Sequence, residues 1–159
     1  MAALGERLAG FVYGTIVTLS VVVAGARAFP EEPGHIAAIV AVTSVVFWLA
    51  HVYAHALGHS AALHEHLSLA ELRGIARREG SIIEAAVPPV GALLLGSIGI
   101  LNERTALWLA VILGLCVLGA QGIVFARAER LGLAASVLVV AGNLGLGLLL
   151  VGLKLLLSH

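Results

Sequence analysis

Charged residues are scarce in this sequence. Asp, Glu, Lys and Arg account for 11% of the 159 residues, whereas apolar residues account for 60%. A soluble domain has about a quarter of its residues charged, because its surface must be hydrated. This chain has too few charges to cover its apolar content with a hydrated surface. We therefore expect an integral membrane protein whose partner is the lipid bilayer.

The sequence also has a single cysteine and no formal net charge. Cys116 is the only cysteine, which excludes an intramolecular disulfide and a paired-cysteine metal site. Nine basic residues balance nine acidic ones without a basic tail or stripe, which argues against nucleic-acid binding. The sequence also lacks a nucleophile-elbow serine motif, a P-loop and a dinucleotide fingerprint. We therefore expect neither an enzyme nor an organic cofactor.

The sequence consists mainly of long runs of apolar residues. A helix that crosses a bilayer needs about 20 mostly apolar residues. Short polar turns separate most of the runs, and the only sizeable connection is 64–80. We expect an all-α, polytopic membrane protein, with residues 1–159 forming a single integral membrane domain of five transmembrane helices. These spans are placed at about residues 8–29, 36–62, 81–101, 105–126 and 131–157.

The connection between spans two and three has helical character. Ser68 and Glu71 match a capping box, in which each side chain bonds the backbone of the other. Leu69 and Leu72 then fall on one face of the helix. We expect a short amphipathic helix at about residues 68–79 on the cytoplasmic membrane surface. A solvated linker helix would produce the same pattern.

Basic residues are unevenly distributed over the turns, and their excess marks the cytoplasmic side. With a cytoplasmic N-terminus, six arginines lie inside and three basic residues outside. We therefore expect the N-terminus inside and the C-terminus outside, in the plasma (inner) membrane of a prokaryote. The inner group is Arg7, Arg73, Arg77, Arg78, Arg127 and Arg130, and the outer group is Arg27, Arg104 and Lys154.

Three histidines in the second span carry the strongest functional signal. His51, His55 and His59 are each four residues apart, so they form a narrow stripe along about 12 Å of the helix. Titratable side chains in a bilayer are costly and normally face a bundle interior or a wet cavity. Neutral imidazole binds divalent transition metals, and imidazole exchanges protons near neutral pH. Metal binding, proton transfer and packing against other helices are the three interpretations.

Further candidate ligands follow the stripe. His64, Glu65 and His66 come directly after the second span and would collect or release metal at its cytoplasmic mouth. Glu84 is expected at a similar depth in the third span, which makes it the best candidate partner of the histidines. Ser81 and Glu84 also match a capping box, so helix initiation explains Glu84 equally well.

Polar and small residues mark the other spans. Gly10 and Gly14 would permit close helix contact. Pro88 and Pro89 either bend the third span for packing or interrupt it, and interrupted helices often mark the substrate level in transporters. Other polar residues would line a path or bond neighbouring helices, and the path candidates are Tyr13, Thr18, Gln121 and Asn143.

This layout resembles the vacuolar iron transporter family. Residues 13–26 (YGTIVTLSVVVAGA) resemble that family's first span, in which a Gly-rich start runs into a Thr- and Val-rich stretch ending in Ala-Gly. Residues 50–53 (AHVY) stand where the family has Ala-Gly-Glu-Tyr, and residues 119–157 resemble its last two spans in spacing. The resemblance implies five spans, exchange of divalent metal against protons, and a homodimer with a central path between the subunits.

The sequence departs from that family at its metal-binding positions. Gly14-Thr15 lacks the acidic residue of the family's first span, and His51 or Val52 replaces that of the second. Met1 is the only methionine, so the family's metal-binding methionines have no counterpart. We expect a proton-coupled transporter whose substrate is a divalent transition metal such as iron or zinc. A histidine-lined proton or cation channel and a non-transporting membrane scaffold or subunit are the alternatives.

Overall fold

The structure, a computed structural model, describes residues 2–63 and 68–156. Within these ranges the regular structure is entirely helical, which confirms the all-α prediction. The six helices of the described chain are α1 (Ala2–Ala28), α2 (Pro33–Leu63), α3 (Leu69–Glu79), α4 (Ser81–Ser97), α5 (Glu103–Ala128) and α6 (Leu133–Leu156).

Several of these helices suit a lipid bilayer. Four stretches of the described chain are long and apolar enough to cross a membrane, as expected of a multi-pass membrane protein. A further apolar stretch, Leu133–Leu149 within α6, is shorter, so a fifth crossing stays a prediction. The four stretches are Arg7–Ala28, Pro33–Ser60, Leu69–Ser97 and Glu103–Ala128.

Helix α1 lies at the centre of the bundle and packs against each of the other five helices of the described chain. Gly10 and Gly14 are both buried on its α4 face. A Cβ atom added at Gly14 would lie 2.7 Å from the Ile82 carbonyl oxygen, so only glycine permits this approach. The close contact predicted for these two glycines is thereby confirmed. Cys116, in contrast, is exposed on α5.

Helix α3 begins with the predicted capping box. The Ser68 hydroxyl accepts a hydrogen bond from the Glu71 N–H at 3.3 Å, and the Ser68 N–H donates to the Glu71 carboxylate at 2.8 Å. Five of its 11 residues are charged, so α3 itself is too polar for the bilayer core. Its position at the membrane surface stays a prediction.

Helix α4 follows α3 almost without interruption. Gly80 between them has helical φ and ψ angles of −55° and −23°. Ser81 therefore has no free helix terminus to cap, and its hydroxyl donates instead to the Arg78 carbonyl at 3.3 Å. The second capping box, predicted for Ser81 and Glu84, is wrong for this reason.

Pro88 and Pro89 lie inside α4, which stays helical from Ser81 to Ser97. Each proline lacks an N–H, so the carbonyls four residues earlier lose their helical donors. Pro89 is fully buried. An uninterrupted helix with a buried proline favours the packing alternative over a broken helix.

The helix that corresponds to the third predicted span ends before residue 101. Helix α4 stops at Ser97, and Gly99 then adopts a φ of 77°, in the left-handed region that glycine enters without strain. Asn102 caps the next helix by accepting the Thr105 N–H at 2.8 Å. The left-handed conformation of Gly99 and the Asn102 cap together determine the turn between α4 and α5.

Candidate site between helices α2 and α3

Helix α2 is longer than the bilayer core. Its 31 residues extend about 46 Å, against a hydrocarbon thickness of about 30 Å. Its apolar stretch runs from Pro33 to Ser60. His51, His55 and His59 therefore all lie in the C-terminal half of α2, towards one end of this stretch.

The histidine stripe divides between two neighbouring helices. His51 faces α1, where its ring packs against Tyr13 with centroids 4.9 Å apart. His51 Nδ1 also lies 3.0 Å from the Phe47 carbonyl oxygen, one turn earlier on α2. His51 therefore belongs to the α1–α2 contact, although it is in register with the other two histidines.

The other two histidines face acidic residues of α3. His55 Nδ1 lies 3.1 Å from Glu79 Oε1, and His59 Nε2 lies 3.9 Å from Glu71 Oε1. The His55 side chain is 59% exposed, whereas Glu79 is only 12% exposed. Burying a carboxylate is costly without a hydrogen-bonding partner. The contact with His55 supplies such a partner.

Glu71 is held differently from Glu79. The Ser68 hydroxyl and the Ser68 N–H both donate to its carboxylate, at 2.7 and 2.8 Å. These bonds, with a smaller contribution from nearby His59, keep the pKa of the Glu71 carboxyl below its ordinary value. Glu71 therefore remains anionic through the pH range in which histidine titrates.

A cavity of about 310 Å³ lies between α2 and α3. His55, His59, Glu79 and Arg78 all line it, so its wall is rich in titratable and charged groups. Trp48 fixes the two helices beside it, because its indole N–H donates to the Ala76 carbonyl at 2.9 Å. This part of the site can hold water and exchange protons or ions with it.

Glu84 is not among the residues that line this cavity. Glu84 accepts a hydrogen bond from Arg7 of α1 at 3.1 Å, and both side chains are half exposed. Glu84 therefore contacts Arg7 and not one of the histidines of α2. His64, Glu65 and His66 lie outside the described residues.

Three of the four predicted path residues meet in one groove. Tyr13, Gln121 and Asn143 line a mostly apolar groove of about 460 Å³ between α1, α5 and α6. Asn143 also donates to the Leu118 carbonyl at 3.3 Å, as expected of an interhelical contact. Thr18 lies elsewhere, 1% exposed, and its hydroxyl has no hydrogen-bond partner among the described residues.

No three His, Cys, Asp or Glu side chains converge on one point within residues 2–63 and 68–156. Glu79 was not predicted as the partner of His55, and Glu71 was predicted only as part of the α3 capping box. Glu71 and Glu79 lie on a helix that follows the histidine-bearing helix after a short connection. Two helices joined by a short connection usually pack antiparallel, and this could have indicated that α3 would face the histidines.

The chain matches no protein-family model, and no curated protein or solved structure matches it either.

Proposed function

We propose that this chain is a proton-coupled transporter of a divalent transition-metal ion. The observation that carries the proposal is the pairing of His55 with Glu79 beside an open, charged cavity at the end of α2. Imidazole nitrogen is a donor that zinc, iron and similar ions take in proteins, and a neighbouring carboxylate commonly orients the imidazole ring. The metal ion is the cargo, and the layout resembling the vacuolar iron transporter family supports this choice.

Proton coupling follows from the chemistry of imidazole. A neutral histidine binds metal, and a protonated one releases it, so metal and proton compete for the same nitrogen. Two of the three histidines also lie beside carboxylates, at 3.1 and 3.9 Å. His51, His55 and His59 would bind the ion in turn, with His64, Glu65 and His66 at the cytoplasmic mouth. Glu84 stays a candidate ligand in this scheme.

The proposed transporter is a homodimer with five spans per subunit and its N-terminus in the cytoplasm. One described protomer brings no three ligands together, so a second copy would complete the coordination. The α2 face bearing Val42, Val46 and Leu49 is exposed and apolar, and either lipid or a second α2 can cover it. A dimer axis near α1 or α2 places both histidine stripes beside one central path.

Metal uptake into proteoliposomes tests the proposal. Co²⁺ or Zn²⁺ uptake is followed with a metal-sensitive dye for wild type, His55→Ala and His35→Ala. His35 is a matched control, because it lies exposed at the opposite end of α2 with its ring 4.4 Å from that of Phe29. We expect His55→Ala to abolish uptake and His35→Ala to retain it. Equal uptake by all three proteins would remove the histidine stripe from the mechanism.

A histidine-lined proton channel is the second candidate. The same His55–Glu79 contact supports it, because a histidine beside a carboxylate can relay protons without any metal. Proton flux into metal-free liposomes, measured with an entrapped pH dye, separates the two functions. A channel conducts protons without metal, whereas an exchanger requires metal on the opposite side. A non-transporting scaffold would show neither flux.

A further inference from the structure

His51 presents one of its two ring nitrogens to a backbone carbonyl. Its Nδ1 lies 3.0 Å from the Phe47 carbonyl oxygen, and a carbonyl oxygen only accepts hydrogen bonds. In the neutral ring Nδ1 therefore carries the hydrogen. Nε2 is left with the lone pair that a metal ion needs.

His55 has the same arrangement with a carboxylate in place of the carbonyl. Its Nδ1 lies 3.1 Å from Glu79 Oε1, and an ionised carboxylate likewise only accepts. Glu79 belongs to α3 and is 12% exposed, so it is held in the α2–α3 contact rather than moving freely in solvent. Metal-binding histidines usually donate their other ring N–H to a carboxylate or a backbone carbonyl, which fixes the ring and its tautomer.

We infer that Glu79 is a positioning residue that accepts the Nδ1–H of His55 and so leaves Nε2 of His55 as the metal-binding nitrogen. This inference rests on the proposed function, and it names Glu79, rather than Glu84, as the carboxylate that serves the histidine stripe. Glu79 acts through His55 and is not itself a ligand. Phe47 does the same for His51 through its backbone.

His59, Glu71 and Glu84 do not share this arrangement. His59 presents Nε2 to Glu71 at 3.9 Å, which is beyond hydrogen-bond distance. The Glu71 carboxylate accepts a hydrogen bond from the Ser68 hydroxyl, and the Glu84 carboxylate accepts one from Arg7. Of these three carboxylates, Glu79 is the one with the geometry to set a histidine tautomer.

The first experiment measures the tautomer itself. Solution or solid-state ¹⁵N NMR of the histidine-labelled full chain, without metal and above the pH at which histidine is protonated, reports which nitrogen carries hydrogen. We expect His55 in the Nδ1–H form in wild type and a shift toward the Nε2–H form in Glu79→Ala. Glu79→Gln keeps an accepting oxygen and should restore the Nδ1–H form. An Nε2–H form in the wild-type protein would overturn the inference.

The second experiment measures metal affinity with Co²⁺ as the probe. Loss of a carboxylate that orients a metal-binding histidine typically weakens binding by about 10–100-fold. We expect a loss in that range for Glu79→Ala, a smaller loss for Glu79→Gln, and none for Glu129→Gln, a control at an exposed carboxylate. Glu79→Ala combined with His55→Ala should be no worse than His55→Ala alone. Unchanged Co²⁺ affinity in Glu79→Ala would contradict the positioning role and leave Glu79 as a structural partner only.

Failure of the proposed transport function and failure of the positioning role of Glu79 give different results. If the NMR tautomer is as expected but wild-type liposomes take up no metal, the proposed transport function fails and the tautomer assignment stands. If the tautomer is wrong while metal uptake persists, the positioning role fails and transport stands. Should Glu79→Ala not yield folded protein, Glu79→Asp replaces it. Its displaced carboxylate should weaken Co²⁺ binding, and wild-type affinity in that variant would count against the inference.

Discussion

Tyr13 of α1 and His51 of α2 lie ring against ring, with centroids 4.9 Å apart and ring planes inclined at 50°. Tyr13 also lines the groove between α1, α5 and α6, together with Gln121 and Asn143. One aromatic side chain therefore contacts His51 and also lines the groove that holds Gln121 and Asn143. Under the proposed function this makes Tyr13 the link between the two.

The first prediction concerns this link. Tyr13→Ala removes the ring contact and should reduce metal uptake, whereas Tyr13→Phe keeps the ring and should retain most of it. An aromatic pair contributes about 0.5–1.5 kcal/mol beyond the area it buries, so Tyr13→Ala should lower the free energy of unfolding by at least that amount. Tyr53→Ala is the control, because Tyr53 is 66% exposed on the same helix as His51. Similar uptake by the two alanine variants would separate Tyr13 from the mechanism.

The helices themselves were predictable from local chemistry. Ser68 and Glu71 specify the start of α3 through four consecutive residues, and the structure has the predicted capping box. The same four-residue pattern failed at Ser81, because Gly80 continues the helix and leaves no terminus to cap. A capping pattern identifies a possible start, but whether the preceding residue breaks the helix depends on its backbone conformation.

The partners of the histidines were less predictable. A spacing of four residues correctly indicates that His51, His55 and His59 share one stripe, but it does not specify which helix each one faces. His51 contacts α1, whereas the other two face Glu79 and Glu71 of α3. That division depends on how α1 and α3 pack around α2, which is a tertiary property that periodicity along one helix does not contain.

The second prediction concerns topology. The arginines near the N-terminus (Arg7), in α3 (Arg73, Arg77 and Arg78) and at the α5–α6 turn (Arg127 and Arg130) should hold these segments in the cytoplasm. An alkaline phosphatase fusion after His159 should therefore be active, and a green fluorescent protein fusion there should be dark when exported by the general secretion route. The opposite pattern would place the C-terminus inside and contradict a five-span arrangement with a cytoplasmic N-terminus.

The third prediction concerns the capping box of α3. Ser68→Ala removes the hydrogen bond that the Ser68 hydroxyl donates to the Glu71 carboxylate and the one that it accepts from the Glu71 N–H. The amide hydrogens in the first turn of α3 should therefore exchange faster. The pKa of Glu71 should rise toward its ordinary value, because the Ser68 hydroxyl is the largest cause that lowers it. NMR titration of the Glu71 carboxyl measures this change. An unchanged titration would show that the cap does not control Glu71 in solution.

The sign of the accompanying stability effect follows from the direction of that shift. A carboxyl whose pKa is lowered by folding stabilises the folded state above its unfolded pKa, and this contribution is lost as pH falls through the folded value. Acidification should therefore loosen the start of α3 in wild type. Ser68→Ala should lose most of this acid dependence. A Ser97→Ala variant provides the control, because Ser97 bonds only the last turn of α4 through the Leu94 carbonyl at 2.9 Å.

The fourth prediction concerns assembly. If a second subunit completes the metal site near α2, cysteines placed on the exposed α2 face should form disulfides between subunits. Val46→Cys, in a Cys116→Ala background, should cross-link in membranes, whereas Leu138→Cys on α6 should not. Both positions are apolar and exposed, at 56% and 73%, so exposure alone does not distinguish them. A monomeric mass in detergent together with absent cross-linking at residue 46 would contradict the homodimer.

The fifth prediction concerns the pH dependence of metal binding. His51, His55 and His59 must be neutral to bind metal, so protons compete with the ion and affinity should fall on acidification. Co²⁺ affinity of the wild type, measured at two pH values, should be clearly weaker at the lower one. His55→Ala should bind more weakly at both values and depend less on pH, since one competing nitrogen is gone. Its stability should decrease by only about 1–3 kcal/mol, the cost of leaving the Glu79 carboxylate without its partner.

Histidines that only pack the helices would behave in the opposite way. Their replacement would lower the unfolding temperature while metal uptake by the remaining folded protein stayed at the wild-type level. His35→Ala again serves as the control, because His35 lies exposed at the far end of α2, away from the α2–α3 cavity. A metal affinity independent of pH in wild type, or equally pH-dependent in His55→Ala, would place the competing protons on other groups. In that case the His55–Glu79 contact would join α2 to α3 without taking part in transport.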